Sequence, residues 1–176
     1  VTSTQILDAV ESCFYPKRKL EREWVFFREL RTGTGFEKSA MQRLDAWAMN
    51  MYRSNAWKRV SYEVKVSRAD FIQEIKNPSK RKFGLMVSNE FYFAVPLGMV
   101  KDEEVPPECG LLEVGYGDDW RELLETKQLR GRVHWAAERG AGCFVVNRIP
   151  APWRDCQPPS WSMVGALVRN LKSAVE

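Results

Sequence analysis

The chain has 176 residues, 44% hydrophobic and 28% charged, with seven tryptophans, a composition that excludes a disordered chain and supplies the core of one compact domain. No run approaches the roughly 18 apolar residues a membrane span needs, and the first residues lack the basic-then-apolar layout of a secretion signal, so a cytoplasmic protein is expected. The net charge of +4, from 27 basic and 23 acidic residues, permits an acidic partner such as nucleic acid without demanding one, because strong non-specific binders neutralise several phosphates at once.

Ile6, Leu7, Val10 and Phe14 recur at helical spacing, which predicts a helix over Thr4 to Phe14 that Pro16 stops. A basic stretch, Lys17 to Glu23, precedes a strand at Trp24 to Phe27 that ends at the turn Gly33-Thr34-Gly35. Leu44 to Met51 is a second strand. Val60 to Val66 is a third, with Val60, Tyr62, Val64 and Val66 on one face and Ser61, Glu63 and Lys65 on the other. Ser67 is placed to cap a helix, with Asp70 three residues on and Phe71, Ile72 and Ile75 as its buried stripe. Asn77-Pro78 breaks it and starts a short helix carrying Lys80, Arg81 and Lys82. Phe91 to Val95 and Leu111 to Gly115 are further strands. Trp120 to Arg130 reads equally as helix or hairpin, Pro150 to Pro159 as a loop, and Ser160 to Val175 as a closing amphipathic helix. The order helix, three strands, helix, strand predicts an α/β fold with a mixed sheet flanked by helices.

The four cysteines, Cys13, Cys109, Cys143 and Cys156, are scattered, which favours free thiols over a disulfide framework or a zinc site. His134 is the only histidine, and a structural or surface place is expected for it. The chemistry is concentrated elsewhere, in Asp45 on one strand and Glu63-Val64-Lys65 on the next. Residues two apart in a strand share a face about 6.5–7 Å apart, so Glu63 and Lys65 project together, and Asp45 reaches them if the strands are neighbours. Two converging carboxylates make a hard-oxygen site suited to Mg2+, with Mn2+ able to substitute. Lys65 would offset part of that charge and hold a water or hydroxide for attack on phosphorus. An exposed Glu-x-Lys pair on a half-solvated strand is also common without any function.

The runs Arg43 to Met49, Tyr62 to Phe71 and Asn89 to Pro96 resemble the MmcB-type, DNA-repair-related branch of the PD-(D/E)xK nuclease superfamily, found in phages and bacteria, over residues 24 to 114. The resemblance implies a restriction-endonuclease-like core over about residues 4–114 of a single domain, with a C-terminal extension at 115–176. It implies Asp45, Glu63 and Lys65 as the motif residues, and a Val64 carbonyl completing the metal shell. An additional acid is expected near the first helix or strand: Glu29, before the glycine turn, is favoured, Glu11 is the reserve, and Glu23 is expected at the surface. The function implied is a magnesium-dependent DNA endonuclease of DNA repair or phage DNA processing. The alternatives are an inactive nuclease-fold module that binds DNA or a protein, and an unrelated α/β domain. A homodimer or a protein partner supplying specificity is compatible with either functional reading.

Phosphate contacts are expected from Lys76, Lys80, Arg81 and Lys82, the densest basic cluster after the motif, against the alternative of a solvated helix face. Arg68 joins them because a cation at a helix start is disfavoured by the helix dipole. Asp70 is explained by capping, Arg43 by structure, and the strand aromatics by the core.

Overall fold

The structure, a computed structural model, describes residues 1–16, 23–31, 43–117, 131–136 and 142–173. Helix α1 (Ser3–Phe14) begins at a reciprocal cap in which Thr2 Oγ1 accepts the Gln5 N–H and Gln5 Oε1 accepts the Thr2 N–H. The chain continues through β1 (Trp24–Arg31), β2 (Arg43–Asn50), β3 (Arg59–Val64), α2 (Arg68–Lys76), α3 (Lys82–Val87), β4 (Glu90–Pro96), β5 (Gly110–Tyr116), β6 (Arg132–Trp135), β7 (Cys143–Ile149) and α4 (Trp161–Ser173). Among the described residues the strands form one mixed sheet in the order β1-β2-β3-β4-β5-β7-β6. The pairs β3–β4 and β4–β5 are parallel and the rest antiparallel.

Strand alternation divides the core into two layers. On one face Ile6, Leu7, Ala9 and Val10 of α1 pack against Ala46, Ala48, Val60, Tyr62, Ala94 and Leu112. Tyr15, just beyond the helix, anchors that layer with a 2.5 Å hydroxyl–hydroxyl hydrogen bond to Tyr62. On the other face Phe71 of α2 meets Phe91, Phe93, Val95 and Leu111, while Val87 of α3 and Met163 and Ala166 of α4 cover Phe27, Leu44 and Trp47. Glu63 and Lys65 lie on this second face, under α2. No helix among the described residues is long and apolar enough to cross a membrane. All four cysteines are free, Cys109 and Cys143 buried.

The expected strands and the flanking helices are present, with ends displaced by a few residues. β3 stops at Val64, and Val66, expected on its buried face, is exposed. Lys80 and Arg81 precede α3 instead of lying on it. β6 and β7 were not expected. β7 pairs with β5 and places residues 143–149 inside the sheet, and α4 covers β1 and β2, so the described strands and helix after 115 pack on the same sheet as the core. The turn Gly33-Thr34-Gly35, the stretch Trp120 to Arg130 and residues 17–22 lie outside the described residues.

Helix α3 sits close to the sheet because Gly84 faces Phe91: a Cβ there would fall 2.6 Å from that ring and 3.2 Å from Leu44 Cδ2. Neither neighbour can yield, since Phe91 is 1% and Leu44 5% exposed. Gly84→Val is therefore expected to lower the denaturation midpoint by about 1–3 kcal/mol of stability. An unchanged midpoint in urea would show that α3 is not held against the sheet in this way.

Candidate active site

The β2–β3 ladder runs from Met49↔Arg59 to Ala46↔Tyr62 and stops. One step further, where Asp45 and Glu63 would pair, a side chain replaces the backbone: Asp45 Oδ2 accepts the Val64 N–H at 2.8 Å. In an antiparallel pair a residue's N–H and C=O serve the same strand edge, so the Val64 carbonyl also faces Asp45. Alternation breaks at this step. Ala46 packs in the α1 layer, whereas Leu44 joins Trp47 on the opposite face. β1 breaks in register with it: Arg28 bonds Asp8 and Glu11 of α1, Leu30 joins the Trp47 layer, and Glu29 between them has φ +52°.

Glu63 and Lys65 emerge side by side, with Lys65 Nζ donating to Glu63 Oε1 at 2.6 Å. Lys65 has left the strand, yet its N–H still donates to the Ala94 carbonyl at 3.1 Å, which fixes the base of its side chain beside β4. The sequence reading missed a third carboxylate here. Glu74 of α2 is 4% exposed and its Oε2 lies 3.2 Å from Lys65 Nζ and 3.7 Å from Lys80 Nζ. The signal was its spacing: three residues after Phe71, it lies on the buried stripe of α2. The cluster occupies the carboxyl end of the parallel strand β3, where ligands bind in open α/β sheets.

Burial raises the Glu63 carboxyl to about 7, with the negative charges of Asp45 and, more weakly, Glu74 adding to it against the pull of Lys65. Burial alone would lower the Lys65 ammonium, but Glu63 and Glu74 outweigh it and hold it above its ordinary value. The site thus brings the carboxyl groups of Asp45, Glu63 and Glu74 together, with Lys65 paired to two of them.

Several expected site residues are placed elsewhere. Glu29 stands across from Asp45 in sequence register, but its left-handed backbone turns the side chain outward, 69% exposed and 3.7 Å from Arg43, so it does not join Glu63. Glu11 lies on the α1 side of the sheet, bonded to Arg28, with the sheet between it and Glu63. Arg81 is only 6% exposed, its Nε and Nη2 on Glu108 Oε1 at 2.9 and 2.6 Å, so it is a buried ion-pair partner and not a phosphate contact. Arg68 forms a bidentate pair with Glu104 and donates to the Met99 carbonyl at 3.1 Å, tying α2 to the loop after β4. That pairing removes the reason for reading Arg68 as a phosphate ligand. Lys76, Lys80 and Lys82 are exposed. Asp70 caps α2 as expected: Ser67 Oγ accepts its N–H at 3.2 Å and donates to its carboxylate at 2.8 Å. His134 packs against the Phe14 ring at 4.4 Å, away from the acidic cluster.

No protein-family model matches the chain, and no curated protein matches it. Among solved structures, a protein of unknown function from Silicibacter pomeroyi aligns over 99% of this chain and 91% of its own, at 18% identity and a TM-score of 0.53. The two share a fold.

Because Glu63 has a folded-state value of about 7 against 4.5 in the unfolded chain, its protonated form favours folding. That contribution is complete below about pH 4.5 and is lost as pH rises through 7. In chelator, the melting temperature should fall from pH 5 to pH 8 by more in the native protein than in Glu63→Gln. Parallel profiles for the two proteins would show that Glu63 is not held protonated.

Proposed function

We propose that this chain is a magnesium-dependent deoxyribonuclease with a PD-(D/E)xK core. The observation that supports it best is the junction at the end of the β2–β3 ladder, where Asp45, the Val64 backbone and the Glu63–Lys65 pair meet. Among the described residues no three histidine, cysteine or acidic side chains are grouped to hold an ion. Mg2+ does not require three, because it keeps several waters and binds through one or two carboxylates. The donors present fit it: the carboxylates of Asp45 and Glu63 and the Val64 carbonyl are all hard oxygens, and the Glu63 carboxyl, raised first by burial and then by the Asp45 charge, is one a cation would stabilise in its ionised form.

When bound, the ion would lower the pKa of a coordinated water and stabilise charge on the phosphorane-like transition state. The chain's own residues supply the rest. Asp45 is fixed by the Val64 N–H, so one of its oxygens is pre-oriented and the other is left to a ligand. The Lys65 ammonium is anchored at its backbone and lies between Glu63 and Glu74, within reach of an attacking water or of a non-bridging phosphate oxygen whose charge it would offset. Lys76, Lys80 and Lys82, exposed beside α2, would track the phosphodiester backbone. Arg81 and Arg68 maintain the surrounding structure.

Plasmid and linear DNA should be cut with Mg2+ or Mn2+ and left intact in chelator. Asp45→Asn, Glu63→Gln and Lys65→Ala should each lower cutting about 100-fold or more, in line with the loss of one electrostatic contact to a transition state. The double variant Lys76→Ala and Lys82→Ala, which leaves Lys80 on Glu74, should retain the site but weaken binding to all sequences, reducing the salt slope by about 0.9 for each phosphate contact removed. Pure native protein that cuts no form of DNA with either metal, yet binds DNA, would replace this reading with that of a binding module.

A further inference from the structure

Lys65 has two carboxylates within reach and one positive charge to share between them. Its Nζ lies 2.6 Å from Glu63 Oε1 and 3.2 Å from Glu74 Oε2, and its side chain is 15% exposed, so water offers the ammonium little alternative. Glu74 is unusual in its own right. An ionised carboxylate 4% exposed on a helix is costly unless it is paired, and its two cations are Lys65 and, at 3.7 Å, the half-exposed Lys80. α2 therefore holds a buried acid whose nearer cation is engaged more closely elsewhere.

We propose that Glu74 is a positioning residue that receives the Lys65 ammonium when a divalent cation occupies Glu63. This rests on the reading that Asp45 and Glu63 hold such an ion. A cation on the Glu63 oxygens repels an ammonium bonded to the same carboxylate, which biases the Lys65 head toward its second carboxylate. Its four-carbon stem is flexible and its backbone is pinned to Ala94. Among the described residues, Glu74 is the other carboxylate in ion-pair contact with it. The transfer keeps every charge paired: the incoming ion takes Glu63 and Asp45, Lys65 takes Glu74, and Lys80 is left more fully to solvent or to a phosphate. Without Glu74 the ammonium stays on Glu63 and competes with the ion, or is stranded half-buried. Glu74 thus acts through Lys65 and touches neither ion nor substrate.

The test is the affinity of the DNA-free protein for Ca2+ and Mg2+, measured by calorimetry, with circular dichroism confirming the fold of each variant. Glu74→Gln should weaken binding about tenfold or more, and Glu74→Asp, which keeps the charge on a shorter arm, should recover part of the loss. In a Lys65→Ala background, Glu74→Gln should have no further effect, because there is no ammonium to receive. Undiminished affinity in folded Glu74→Gln would make the pair a purely structural bridge and overturn the proposal. So would an equal loss in both backgrounds, which would reveal a direct field of Glu74 on the ion. Should Glu74→Gln fail to fold, Glu74→Asp decides in its place: a loss of affinity that is seen with Lys65 present, and is absent in Lys65→Ala, supports the transfer, while no loss, or the same loss in both backgrounds, refutes it. If the native protein binds neither ion, the metal site itself is wrong and the proposal falls with it, an outcome distinct from the others because no variant is needed to see it.

Discussion

Three carboxylates, those of Asp45, Glu63 and Glu74, gather around one close ammonium, Lys65, and the local architecture is arranged around that constraint. One ammonium faces Glu63 and Glu74, with Asp45 pressing on Glu63 from the neighbouring strand. In a low-dielectric setting an unpaired charge is far more costly than in water. Each acid is therefore held by something specific. Asp45 takes a backbone N–H that the interrupted ladder leaves free, Glu63 takes Lys65, and Glu74 takes Lys65 and Lys80. The positions of β2, β3 and α2 are coupled through these bonds.

The sheet supplies the frame. A hairpin brings Asp45 beside Glu63, and the parallel pairing of β3 with β4 then holds the backbone of Lys65. The crossover between those two strands is α2 followed by α3, so the helix carrying Glu74 necessarily lies above the end of β3. The loop after β4 is tied down at both sides, by Arg68 with Glu104 and by Arg148 with Asp102 at 2.8 Å. α1 takes no part in the acidic cluster. It closes the opposite face, where Tyr15, Tyr62 and the small residues of β2 form a separate layer.

Much of this was legible from local pattern. The alternation over Val60 to Val64 set the face of Glu63, and Ser67 marked the start of α2, because strand pleat and helix caps are decided by near neighbours. What escaped the sequence depends on distant ones. Arg81 is buried against Glu108, 27 residues away, which pairs with it from the surface, and charge density along the chain carries no trace of that. Glu29 turns away from the site through one backbone angle. β7 was missed because its partner β5 precedes it across a long intervening stretch and the register between them slips at Leu111/Leu112. Glu74 was readable in principle, since its spacing from Phe71 is helical, but a glutamate on a buried stripe is ordinarily assigned to solvent.

The hairpin that carries Asp45 and Glu63 also bears on the order in which the site forms. The two acids are separated by only 18 residues, so their strands can pair through a short loop closure, early and while both carboxylates are still hydrated. Hydration keeps their mutual repulsion small at that point. Glu74 arrives only when the crossover folds back to lay β4 along β3, a less local event that closes a longer loop. The step that strips water from the acids is therefore the same step that completes the ion pairing of Lys65. In that order of events dehydration and charge compensation coincide, because the helix that covers the acids is the one that carries Glu74 to Lys65.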